Sequence, residues 1–213
     1  MRKSEDLAVQ ILDTALRLAD DCSWEVLRLH QVAEELAIPL SSVQQFYRQK
    51  DDLVEAWYDR ADIGMLKAAE SEGFLQLDKP TRLHHLIMAW LDVLAQHKKV
   101  SADMLLYKLE PGHVHLQVLG IMRISRTVQW FLEAAQSDTR HLARIVEEVG
   151  LTSIYLLTFS YWVNDRSEKQ QASRDFLWRR LQQVGPCARL FNLSSTCADT
   201  VRGDGRQDKT DKT

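Results

Sequence analysis

Residues 27–53 read LRLHQVAEELAIPLSSVQQFYRQKDDL, and the break in the middle of this stretch decides the fold. Val32, Ala33 and Leu36 recur at helical spacing, as do Val43, Phe46 and Tyr47, with Ile38-Pro39 between the two sets. Proline drives the residue before it out of the α region, so the first piece stops near Ala37 and a second starts past Pro39. Ser41 and Gln44 form an S-x-x-Q pair, the sequence pattern of a capping box. Such a box would start the second helix late and spend Gln44 on the backbone. Two short helices at a steep angle, the second presenting polar side chains, make a helix-turn-helix, which can lay a helix in a DNA major groove.

The same residues resemble the N-terminal DNA-binding domain of the TetR family of bacterial repressors. Val32-Ala33 match an apolar-Ala pair in the first helix, Ala37-Ile38-Pro39 fall on a Gly-Val-Ser turn, and Tyr47, Lys50 and Leu53 fall on a closing Phe-x-x-Lys-x-x-Leu. Upstream, ILDTALRLADDCSW looks like the family's first helix, followed by the bulky Trp24. The departures are Ala37 for the turn glycine, Pro39 for the capping serine and Gln44 for the aromatic of the recognition helix. Ala37 carries a steric cost if the turn needs positive φ.

The resemblance implies an all-α, TetR-like fold. A three-helix DNA-binding domain would occupy residues 1–50 and a helical ligand-binding and dimerisation domain residues 51–190. It implies a homodimer through residues 139–184, double-stranded DNA as partner, and release by a small apolar effector. Ser41, Ser42, Gln45 and Phe46 would approach bases, with Gln44 and His30 on the same surface, while Arg28, Arg48 and Lys50 hold phosphate.

Charge argues for modest DNA affinity. The net charge is −3, and residues 1–60 hold seven lysines and arginines against twelve aspartates and glutamates. Phosphate contacts need cations on the contacting face. Between Arg28 and Lys50, however, the acids are only Glu34 and Glu35, both on the first helix of the pair. A local neutral-to-positive face is therefore compatible with an acidic domain. Cys22, Cys187 and Cys197 show no metal-ligand spacing and are odd in number, which fits a reducing, cytoplasmic setting. Arg2-Lys3 runs at once into Ser4-Glu5-Asp6, unlike a secretory leader. The longest uncharged run, residues 149–163, is too short for a membrane span.

Four prolines and eight glycines in 213 residues leave nearly everything helical. Leu7, Ile11, Ala15 and Leu18 mark a first helix over residues 4–20. Asp51 and Asp52 suit the positive end of a long helix running to about Glu70, and Ser71-Glu72-Gly73 with Lys79-Pro80 mark a boundary. Further helices are expected from Leu83 to Leu94, over 101–110, 113–136 and 139–163, and over 167–184. The helix at 139–163 is apolar almost all round in its second half, as expected when both sides are covered. From about residue 194 the tail balances four bases against four acids with Val201 as its one large apolar residue, and should be disordered.

A second resemblance points elsewhere. Tyr155, Tyr161-Trp162, Asp165, Ser167, Phe176-Leu177 and Arg179-Arg180, with the run Asp59-Arg60-Ala61-Asp62, look like the lipid-binding accessory family of ubiquinone biosynthesis. That family keeps the TetR fold without reading DNA. The alternative it implies is a lipid- or quinone-binding accessory protein, its helix-turn-helix retained as scaffold.

Nothing in the sequence points to an enzyme or a cofactor: there is no nucleophile–base pair and no glycine-rich phosphate loop. His113-x-His115 lacks a carboxylate or cysteine at ligand spacing and reads more simply as a solvated helix start. His84 and His85 face different sides of one helix. Trp90, Met104, Tyr107, Trp130, Phe131 and Tyr155 either line an apolar ligand cavity or fill the core. Arg123 and Arg126 lie in an otherwise apolar stretch and need an anion, with Glu133, Glu147 or a ligand carboxylate as candidates.

Overall fold

The computed structural model describes residues 2–109, 114–137 and 141–183, and among them every regular element is helical. The side chains of residues 106–119, His113, Pro111-Gly112 and the tail from 194 lie outside the described set. The helices are α1 (Arg2–Cys22), α2 (Leu29–Glu35), α3 (Leu40–Phe46), α4 (Lys50–Ala69), α5 (Lys79–Leu94), α6 (Lys98–Leu109), α7 (Val114–Ala134) and α8 (His141–Asn164). A ninth, α9, runs over 171–183. Short 3-10 turns at Phe74–Gln76, Ala95–His97 and Glu168–Gln170 make the corners before α5, α6 and α9.

The helix-turn-helix forms as the sequence spacing predicts, but its joints use different chemistry. α2 closes in a Schellman turn: Ala37 N–H donates to Glu34 O and Ile38 N–H to Ala33 O, both at 3.0 Å. Ala37 sits at φ 52°, so the left-handed residue that glycine normally supplies is here an alanine. The capping box expected from Ser41 and Gln44 does not form. α3 begins directly after Pro39, at φ −61° and ψ 145°, with no side-chain cap. Proline already holds the extended backbone of an N-cap, so the helix need not wait for Ser41, and Gln44 stays free of the backbone. Caps appear one joint to either side. Gln31 Oε1 accepts from Arg28 N–H at 2.8 Å, and Asp52 Oδ2 accepts from Arg48 and Gln49 N–H at 2.8 and 3.2 Å.

α1 buries Ile11, Leu12, Ala15, Leu16 and Ala19 beneath this pair, and Val32, Val43 and Tyr47 pack onto it. Tyr47 OH donates to Ala8 O at 3.0 Å, which fixes the rotation of the segment on α1. Burial pushes the Tyr47 phenol up from its ordinary pKa.

α4 is common to both halves. Arg60 of α4 pairs with Asp13 of α1 at 2.6 Å, and α4 also packs on α5 and α7. Gly64 permits the close approach of α5, since a Cβ there would stand 2.6 Å from Val93 Cγ2. Trp57 Nε1–H donates to Ser101 Oγ at 2.8 Å and Tyr58 OH to Ser101 O at 3.0 Å, tying α4 to α6. His97 Nδ1 meets Asp20 Oδ2 at 2.5 Å, so the corner before α6 also grips the end of α1.

The C-terminal core is aromatic. Trp90 stacks on Tyr58 (5.8 Å, 10°) and takes Tyr155, Phe131 and Phe159 edge-on at 5.3 to 6.5 Å. α8 buries Ile154, Tyr155, Phe159 and Trp162, and among the described residues its other side is left uncovered. Ile145, Val146, Val149 and Leu157 are half or more exposed, and Tyr161 is 42% exposed.

Candidate nucleic-acid interface and the buried acid–arginine cluster

The buried side of α3 is fixed by Val43 and half-buried Phe46, so residues turned away from that side around the helix face solvent. Leu40, Ser41, Gln44 and Gln45 form that outward face, with Ser42 at its margin. Phe46, expected to approach bases, packs instead against the core. Leu40 was missed by the sequence reading, although its place directly after Pro39 marks it as the first residue of the helix.

Of the expected phosphate-holding cations, Arg48 is exposed, as is His30 beside them. Arg28 is exposed too, and its guanidinium donates to Glu25 O at 2.8 Å. Lys50 requires a correction. Its ammonium turns inward and donates to Trp24 O, to Leu27 O at 2.9 Å and to Glu25 O at 3.2 Å, and it lies 4.9 Å from the Trp24 ring centroid. Burial, with Arg28 nearby, holds its pKa below the usual lysine range. The loop between α1 and α2 leaves carbonyls without helical partners, and Lys50 satisfies them. Arg17 neutralises Glu35 at 2.6 Å, which removes one acid from the α2 surface.

A second site lies where α4 crosses α7. Arg123 is only 6% exposed. Its Nη2 meets Asp62 Oδ2 at 2.8 Å, and its Nη1 meets Asp59 and, at 3.3 Å, Glu55. Arg126 pairs with Glu55 at 2.8 Å and Asp59 at 3.3 Å. The anions expected for these arginines were Glu133, Glu147 or a ligand; the structure supplies α4's own acids instead. Glu55, Asp59 and Asp62 stand four and three residues apart, one face of a helix, a signal the sequence contained. Asp62 Oδ1 also accepts from Trp90 Nε1–H at 2.8 Å and Thr127 Oγ1–H at 3.2 Å. Burial pushes the Asp62 carboxyl up, and Arg123, Trp90 and Thr127 oppose it. For Arg123, burial works downward and the three acids outweigh it, keeping the guanidinium charged. Arg123 Nε is buried with no acceptor among the described residues.

Among the residues expected to line a ligand cavity, Trp90, Met104, Arg123 and Tyr155 are buried. Trp130 is 45% exposed and stands apart from them, because its position on α7 points away from Phe131. The side chains of Tyr107 and His115 lie outside the described set. His84 turns inward, with Nε2 3.0 Å from Arg174 O, while His85 is exposed. The described residues hold no cluster of three or more metal-ligating side chains.

Several residues of the second resemblance form a clasp at the α8–α9 corner. Asp165 accepts from Ser167 N–H (2.7 Å), Ser173 N–H (2.8 Å) and Ser173 Oγ–H (2.5 Å). These bonds outweigh the effect of burial and bring its carboxyl down to about 2. Arg174 grips both oxygens of Asp92 at 2.7 Å, Gln170 reaches Asp92 at 3.2 Å, and Tyr161 stacks on Phe176 at 4.6 Å.

A helix-turn-helix with an uncommitted outward face, carried on a helical domain through a shared α4, defines a DNA-binding regulator class. The crystal structure of the TetR transcriptional regulator from Nitrosomonas europaea ATCC 19718 is similar at 48% identity, covering 84% of this chain and 97% of that one, with a TM-score of 0.75. The chain therefore belongs to the TetR family of transcriptional regulators. Structures of regulators from Rhodococcus sp. RHA1 (16% identity, 85% and 97% covered, TM-score 0.63) and Aquifex aeolicus VF5 (15%, 83% and 98%, 0.58) share the fold. The family model COQ9 matches residues 146–187. No curated protein matches the chain. No helix among the described residues is long and apolar enough to cross a membrane.

Proposed function

We propose that the chain is a homodimeric, DNA-binding repressor of TetR type, released from its operator by a small effector with an apolar body. The observation that carries this is the outward face of α3: the side chains of Ser41, Gln44 and Gln45 are exposed and make no hydrogen bond among the described residues. Ser42 lies at the margin of that face, and Arg28, His30 and Arg48 flank it as phosphate contacts. The uncovered apolar stripe of α8, with α9, is the surface for a second copy. A dimer sets two recognition helices about one DNA turn apart, roughly 34 Å.

Effector binding belongs near Trp90, Met104 and Tyr155, where the buried Arg123 Nε offers a donor to an acceptor atom on the ligand. Since α4 carries both the acid face and the helix-turn-helix, a ligand that favours one position of α4 favours one spacing of the recognition helices. Selection of genomic fragments by the purified protein, followed by a salt titration of binding, tests the reading. Expected is a specific duplex whose affinity falls steeply with salt; no duplex retained at ~50 mM salt overturns it.

The COQ9 match favours one other reading, a lipid- or quinone-binding accessory protein. Against it, Asp165, Ser167 and Phe176 have structural partners at the α8–α9 corner. Native mass spectrometry separates the two: a co-purified isoprenoid lipid, with no DNA affinity, supports the accessory protein.

A further inference from the structure

We infer that the recognition helix of this chain reads A·T pairs, with the Gln44 amide on an adenine and the Leu40 side chain on a thymine methyl. The inference rests on the regulator reading above and adds what that reading leaves open, the base chemistry of the half-site.

α3 carries no charge: from Leu40 to Phe46 it reads LSSVQQF. The commonest readout of guanine is a bidentate Arg or Lys on O6 and N7, and this helix has neither. The neighbouring cations do not substitute. Lys50 is turned into the Trp24–Leu27 carbonyls, Arg28 lies across the Glu25 carbonyl, and Arg48 follows the helix end rather than its exposed face. What the face does present is an amide and an alkyl group. Gln44 is exposed with its amide uncommitted among the described residues, because the predicted cap to Ser41 does not form. A glutamine amide donates and accepts at once, the pattern that matches adenine N7 and N6.

Leu40 is the second half of the argument. It is apolar, yet 50% exposed at the first position of a helix whose N-terminal residues face base edges in this motif. In the major groove the one apolar group a base offers is the thymine methyl. Leu40 and Gln44 are four residues apart, so they share a face and stand about 6 Å apart along the axis. That is close to two base steps at about 3.4 Å each. Val43 buried beneath and Tyr47 bonded to Ala8 fix the rotation of α3, so both side chains point outward together.

The test uses the full-length protein and the duplex it selects. Within the recognised half-site, single adenines are replaced by an analogue lacking the N7 acceptor, and single thymines by uracil, which lacks the methyl. The wild type is expected to lose roughly tenfold affinity on one adenine replacement and several-fold on one uracil replacement, two steps away or less. Gln44→Ala should bind the adenine and analogue duplexes equally, and Leu40→Ala should be indifferent to thymine or uracil. Both positions are exposed, and matching thermal melts would show that the variants fold as the wild type does. G·C pairs at the protected centre of the half-site, or variants that keep the wild-type discrimination, overturn the inference while leaving the regulator standing. Failure of the wild type to bind any duplex overturns both.

Discussion

Arg123 on α7 holds Asp62 on α4 at 2.8 Å, both side chains under a tenth exposed. The pair sits where α4, which follows the helix-turn-helix, crosses α7, so the buried charge fixes the register of the two helices. Breaking one side of such a pair leaves an uncompensated charge inside. Arg123→Ala is expected to destabilise the fold by about 3 kcal/mol, read by urea denaturation. Arg123→Ala with Asp62→Asn should recover part of that loss, because the stranded carboxylate is gone.

At Ala37 the helix-turn-helix accepts a left-handed residue, φ 52°, with a side chain. Glycine adopts that conformation without the steric cost, which outweighs the entropy it brings to the unfolded chain. Ala37→Gly should raise stability by up to about 1 kcal/mol, and Ala37→Val should lower it. A shift in the urea midpoint at unchanged slope is the measurement.

Lys50, which ties down the loop before α2, and Arg48, proposed as a phosphate contact, should respond oppositely to substitution. Lys50→Met should lower the melting temperature, because the carbonyls of Trp24, Glu25 and Leu27 lose their donor. The salt dependence of DNA binding should stay as in the wild type. Arg48→Ala should do the reverse: unchanged melting, and a salt slope smaller by about one.

Asp165 sets an acid limb. Its folded carboxyl sits at about 2, below the ordinary 3.8, so the ionised form is favoured in the native state. Its contribution is complete above the unfolded value and is lost as pH falls from about 4 to about 2. Stability measured across that window should flatten in Asp165→Asn relative to the wild type, because the variant already lacks part of the clasp at neutral pH.

On α8 the uncovered Val149 and Leu157 should mark the subunit contact. Val149→Glu with Leu157→Glu is expected to turn a dimer into a monomer in sedimentation and to weaken operator binding with it, since both half-sites must be held at once. A variant that sediments as the wild type removes this face from the interface.

How much of the site was legible follows from range. Pro39 is a local instruction, and it placed the start of α3 without reference to anything distant. The Ser41–Gln44 cap, also read from local pattern, lost to that same proline, whose backbone geometry already did the capping. The acid face of α4 was visible as a helical spacing of Glu55, Asp59 and Asp62, but nothing in the chain order says that it meets Arg123 some sixty residues on.

The sequence by itself determined the helices, the broken pair at residues 27–53 and the uncharged surface of α3, because periodicity, proline and side-chain chemistry act within a few residues. Only the tertiary structure decided that Lys50 faces inward, that Arg123 is already answered by α4 and that Trp130 stands in solvent. Those outcomes depend on which faces α1, α4 and α7 bury against one another, and burial sets the cost of a charge left without a partner.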